Sequence, residues 1–277
     1  MHNSAVRFCI LFSLAFALVF LISCKDKDNN QITYDIQYTD TTVVFSINDA
    51  VFTMILVDGG TFEMGATAEQ GQEDPDRDEY PIHVVNLSSY YICQTEVTQE
   101  LWNTIMGTNP SMILGESTLP VDCVKWDMCQ EFLSALNKIF DNKFEFRMPT
   151  EAEWEFAARG GNRSKGYKYS GSNNLHEVAW FESNSEGTTH PVGMKKPNEL
   201  GIYDMSGNLW EWCQDWHGEY QPEEQTDPIG PSTGTHRIMR GGSWTYDQNF
   251  CRVSRRNYIS NIIAVSNCGL RLAMTTF

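Results

Sequence analysis

The stretch RMPTEAEWEFAARGG, Arg147 to Gly161, carries both ends of a helix. Pro149 and Thr150 open it. Thr150 followed three residues later by Glu153 is a capping box, in which each side chain satisfies the other's free backbone N–H. Trp154, Phe156, Ala157 and Ala158 fill the body, and Gly160-Gly161 ends it.

Upstream the chain remains regular. Leu101, Trp102, Ile105 and Met106 predict a helix over about 98–106, stopped by Gly107. Trp126, Cys129, Phe132, Leu133 and Leu136 recur at helical spacing and predict a second over about 125–138. Residues 42–47, 52–57 and 61–65 read as strands, and 70–80 as an acidic, turn-rich loop. Downstream of Gly161 the character changes. Residues 162–277 are rich in Gly, Asn, Ser, Pro and Trp without a long period, and their aromatics argue for packed irregular structure.

Composition narrows the function. Of 277 residues, 41% are apolar and 12% aromatic, which excludes a wholly disordered or fibrous chain. Twenty Lys and Arg against 36 Asp and Glu leave a charge of −16. Such a surface repels phosphate, so no nucleic-acid partner is expected.

The first 23 residues read as a secretory signal: Arg7, then an apolar run from Phe8 to Ile22 that is short for a membrane span. Leu21-Ile22-Ser23-Cys24 resembles a bacterial lipobox, which implies cleavage before Cys24 and lipidation of that residue. Acyl chains anchor a protein without crossing the bilayer. Residues 24–50 then read as the lipidated Cys and its tether, and 51–277 as one domain. The expected location is the cell envelope, lipid-anchored at the outer membrane and facing either periplasm or exterior. Export permits disulfides among Cys93, Cys123, Cys129, Cys213, Cys251 and Cys268, and six cysteines allow fifteen pairings.

Two runs stand out as chemistry-bearing. GIYDMSGNLWEWCQDW, Gly201 to Trp216, concentrates carboxylates and turn residues, which suit a hard cation, with three Trp that equally suit a core strand. RGGSW, Arg240 to Trp244, precedes Cys251-Arg252 and Arg255-Arg256, a basic cluster that either pairs with carboxylates or receives an anion. No P-loop, HExxH or GxSxG occurs, and the His residues lack ligand spacing.

Together these segments resemble the sulfatase-modifying-factor, or formylglycine-generating enzyme, family. The resemblance rests on GGTFEMG (59–65), YICQTEVTQ (91–99), PTEAEWE within 147–161, GIYDMSGNLWEW (201–212), RGGSW (240–244) and Gly269-Leu270-Arg271. It implies an α+β fold related to the C-type lectin architecture, with little regular secondary structure. It implies calcium at Asp204, Gly207, Leu209 and Glu211, the glycine and leucine through their carbonyls. It implies an active site containing Cys251, Ser243 and Trp210, where Cu(I) sits between two thiolates and O₂ oxidises a sulfatase cysteine to formylglycine. Here the second thiolate position, five residues before Cys251, is Tyr246. A phenol is a poor Cu(I) ligand. The expected function is therefore a non-catalytic binding or scaffold module with a protein or glycan ligand and without copper. The alternative is a working formylglycine-generating oxidase acting on a sulfatase. A second sulfur within about 4 Å of the Cys251 sulfur would favour the alternative.

Overall fold

A computed structural model describes residues 32–71 and 78–275. The signal segment and Cys24 lie outside the described residues. A six-stranded sheet runs in the order β1-β2-β3-β6-β13-β7. Its strands are β1 (Tyr34–Tyr38), β2 (Thr42–Ile47), β3 (Ala50–Val57), β6 (Tyr90–Cys93), β13 (Ala273–Thr275) and β7 (Phe146–Arg147). A three-stranded sheet holds β4 (Gly60–Met64), β5 (His83–Leu87) and β9 (Gln225–Thr226). A four-stranded sheet runs β11 (Arg256–Ile259), β10 (Arg237–Arg240), β8 (Trp210–Trp216) and β12 (Cys268–Leu270). All pairings in the large sheet are antiparallel, whereas β12 runs parallel to β8. The last strand, β13, slots between β6 and β7, so the chain's end completes the sheet that its beginning started.

The expected tether does not extend to residue 50. Alternation in TVVFSI turns Val43, Phe45 and Ile47 to one face, and all three are buried. β2 pairs residue by residue with both β1 and β3. The domain therefore begins by Tyr34, not Val51. Phe45 stacks on Phe52 at 5.1 Å and meets Phe140, Phe144 and Phe146 edge-on.

Helix α1 (Gln99–Met106) is capped by Thr98, whose hydroxyl accepts from the Leu101 N–H at 3.2 Å. Helix α2 (Trp126–Ile139) buries Phe132, Leu133 and Leu136 against the large sheet's core, and Phe132 stacks on Trp102 at 4.8 Å. Helix α3 (Glu151–Ala158) carries the expected box: the Thr150 hydroxyl accepts from Glu153 N–H at 3.2 Å, and the Glu153 carboxylate accepts from Thr150 N–H at 2.8 Å. A one-turn helix, α4 (Leu175–Val178), interrupts the irregular part.

The basic cluster pairs with carboxylates. Arg252 grips Glu79 through two bonds of 2.6 and 2.7 Å, and Arg256 grips Glu151 at 2.7 and 2.9 Å. Arg271 grips Glu211 at 2.6 and 2.9 Å, and Arg240 bonds Glu155. All eight groups are buried. Such pairs contribute little net stability but are costly to break from one side. The six cysteines are free thiols, five of them buried.

Candidate functional site

The run from Gly201 to Leu209 forms a tight loop ahead of β8. Asp204, Gly207 and Asn208 all have positive φ, at 59°, 83° and 59°. At Gly207 a β-carbon would lie 2.2 Å from the Trp180 carbonyl oxygen, so only glycine fits. The same carbonyl accepts from the Asn208 N–H at 2.7 Å. Glu96, contributed from before α1, clamps the loop from the other side. Its carboxylate accepts from Leu209 N–H at 3.0 Å and from the Asn208 amide at 2.8 Å.

The four residues expected at calcium differ in their commitments. Asp204 is buried; one oxygen accepts from Gly193 N–H at 2.7 Å and the other has no partner among the described residues. Glu211 is saturated by Arg271 and by the Trp154 indole N–H at 2.7 Å. Gly207 and Leu209 offer carbonyls. No three His, Cys, Asp or Glu side chains among the described residues form a metal-binding group. A cation here would therefore need carbonyl oxygens beside Asp204, a donor set suited to Ca²⁺. The orphan Asp204 oxygen fits this. So does the charge: buried Glu96, Asp204 and Glu211 face one buried guanidinium, with Lys195 farther out over the Trp180 ring. Burial and the neighbouring carboxylates push Glu96 well up, and burial pushes Asp204 up to about 6.

Ser243 links two neighbouring groups: its backbone meets the Cys251 thiol, and its carbonyl accepts from the N–H of Tyr246, whose ring packs on Trp210 in the adjoining apolar cluster. Gly242 approaches Cys251 so closely that a β-carbon there would sit 2.8 Å from the sulfur. The Tyr246 ring packs on Trp210 with centroids 5.6 Å apart and on Phe250 at 4.7 Å. Ser243 is buried, its hydroxyl 3.0 Å from that of Thr245. This cluster is joined to the Asp204 loop: Ser206 donates to the Cys251 carbonyl, and Trp244 N–H to the Asn208 carbonyl, both at 2.8 Å.

The residues present do not fit a two-thiolate copper centre. Among the described residues the polar neighbours of the Cys251 sulfur are backbone groups, the Asp247 carbonyl at 3.7 Å and the Ser243 N–H. Burial, assisted by the Asp247 charge, pushes its thiol well above the usual range, so it is protonated at neutral pH. Cys268 sits in another cluster with its sulfur 3.3 Å from that of Met239, and Cys213 in a third. Behind Tyr246, the indole N–H of buried Trp210 has no partner among the described residues. Of the four tryptophans in the two motif runs, Trp210 and Trp212 are core, while Trp216 and Trp244 are half-buried.

Sequence reasoning missed Glu96 and Arg271 as members of the site. Both lie inside quoted motif segments, but their partners stand 112 and 60 residues away.

Residues 42–276 match the sulfatase-modifying factor enzyme 1-like domain. The chain belongs to that family. It is 32% identical over 297 residues to a protein of Paenibacillus barcinonensis named chaperone protein LppX, covering 90% of this chain and 92% of that one. It is 28% identical to the formylglycine-generating enzyme of Streptomyces coelicolor, over 78% of this chain and 87% of that enzyme. Among solved structures, Treponema denticola variable protein 1 superposes with a TM-score of 0.78 at 32% identity, over 86% of this chain and all of that one. The fold is α+β, formylglycine-generating-enzyme-like and related to C-type lectins.

Proposed function

We propose that this chain is an envelope-anchored binding module without the family's oxidase chemistry. The observation that carries the reading is the isolated Cys251 sulfur, with Tyr246 packed on Trp210 and Phe250 where the second thiolate would stand. The anchor is the lipid on Cys24. Among the described residues no helix is long and apolar enough to cross a membrane. The ligand is a protein, held on the face of half-buried Trp244, Tyr246 and Phe250. Aromatics that are partly exposed and backed by core are effective interface anchors. The relative named a chaperone supports a protein ligand.

Calcium belongs to this reading as a structural ion. Asp204 and the carbonyls of Gly207 and Leu209 would hold it, with Glu211 behind them fixed by Arg271. Bound there, the cation would neutralise the excess carboxylate charge and hold the positive-φ loop that supports the Cys251 segment. Calcium should raise the melting temperature of the full chain, and Asp204→Ala should abolish that increase.

The reading is tested by Cu(I) competition titration of the full chain against a chromogenic chelator. The chain as it stands should leave the chelator its copper. Tyr246→Cys should gain a tight one-to-one site. Tight Cu(I) binding by the unaltered chain that is lost in Cys251→Ser would overturn the proposal.

A further inference from the structure

Residues 217–231, with β9 in their middle, lie over the start of α3 and wall an open cavity of about 410 Å³, a volume typical of small-ligand sites. It does not include Cys251, Tyr246 or the Asp204 loop. Met64, Ala152, Pro228 and Pro231 give it apolar walls. Its interior charges are already spent on one another. Glu151 is held by Arg256 at 2.7 and 2.9 Å, with Arg240 at 3.5 Å, and the Arg256 guanidinium lies 3.9 Å above the Tyr220 ring. Arg256 also bonds Asp78 and the Gly218 carbonyl. Among the described residues the interior of the cavity leaves no free counter-charge for a charged ligand.

Inside the cavity an Asp215 oxygen and a His83 ring nitrogen have no hydrogen bond from the described residues. Asp215 is buried; one of its oxygens accepts from Glu151 N–H at 2.9 Å, and the other has no hydrogen bond. His83 has its Nδ1 3.1 Å from the Pro81 carbonyl, which can only accept, so in the neutral ring Nδ1 carries the proton and Nε2 is the acceptor. We propose that this cavity binds a small uncharged ligand bearing an amide, of the N-acetylated sugar class, with Asp215 donating to the amide carbonyl and His83 Nε2 accepting from its N–H. Glu219, Gln221 and Gln225 at the rim offer partners for hydroxyl groups.

The donor role requires a protonated Asp215. Burial first, then the Glu151 and Glu153 charges, push its carboxyl up to about 8 against the opposing pull of Arg256. Arg237 also feels this carboxylate. The acid is therefore a donor at neutral pH and an acceptor only above about 8.

The test is calorimetric titration of the full chain with N-acetylglucosamine at pH 6.5 and pH 9.5, with circular dichroism verifying the fold at both. Glucosamine and glucuronate serve as charged comparators. N-acetylglucosamine should bind at pH 6.5 and weaken about tenfold or more at pH 9.5, the effect of losing one donor from a buried site. The comparators should bind more weakly at pH 6.5. Asp215→Asn keeps a donor at every pH, so its affinity should stay level between the two. Absence of N-acetylglucosamine binding at pH 6.5 overturns the proposal. So does equal binding of a charged comparator, or an Asp215→Asn variant that weakens with pH as the parent does.

Discussion

Residues 34–160 and residues 161–275 hold their shape by different physics. The first region contains the three long helices and most of the large sheet, and its interior is aromatic and aliphatic: Phe45 among four other phenylalanines, Trp102 on Phe132. The second has short strands joined by loops at positive φ, and it is tied to the first by buried ion pairs: Arg252 to Glu79, Arg256 to Glu151, Arg240 to Glu155. Hydrophobic burial tolerates imprecision. A buried ion pair tolerates one geometry, because each charge must meet its partner or go unsolvated. The irregular region is therefore specified by its charges more than by its backbone.

The sharpest break in this contrast is Glu79→Gln, which removes the carboxylate charge that neutralises Arg252 in the interior. It should cost about 3–5 kcal/mol in chemical denaturation. Phe45→Ala, the apolar counterpart in the first region, should cost about as much through the cavity it leaves. The two differ in their rescue. A double change of Glu79 and Arg252 to apolar residues of similar volume should recover most of the loss, whereas a second apolar truncation beside Phe45 should deepen it. Gly207→Ala should cost about 1–3 kcal/mol in the same measurement, from the positive φ and the clash with the Trp180 carbonyl. Thr150→Ala removes a cap in the regular region and should cost about 1 kcal/mol.

The buried carboxylates of both regions also set a pH dependence of melting temperature. Asp215 has its folded pKa raised to about 8, so it favours the folded state at low pH, and that contribution is lost as pH rises from about 4 to 8. Glu151 and Asp78 are lowered, chiefly by Arg256 and by His217 respectively, against the opposing effect of burial. Their contribution is present above about 4 and lost below it. Melting temperature should peak near about pH 4–5, and Asp215→Asn should flatten the fall from there toward pH 8.

Legibility in the sequence followed contact distance along the chain. The Thr150–Glu153 box and the apolar faces of α1 and α2 are local, and their boundaries agree with the reading to within a residue or two. The alternation in residues 42–47 was readable as a strand, but nothing local reveals that it packs under Phe140 and Phe146 rather than lying in a tether. The motif runs pointed to the family and hence to the Asp204 loop and Cys251. They did not reveal that Arg271 saturates Glu211, or that Glu96 clamps Asn208. The cavity at Asp215 was illegible, because β4, β5, α3, β8 and the 217–231 loop meet there only after folding.

The central claim, that Tyr246 in place of a thiolate removes the oxidase reaction, is tested most directly by mass spectrometry. A sulfatase-type cysteine peptide would be incubated with the full chain, Cu(I) and oxygen, beside an active family enzyme and a Cys251→Ser variant. The account predicts no aldehyde from the chain while the active enzyme converts the peptide. Aldehyde formation by the chain that disappears in Cys251→Ser would contradict it.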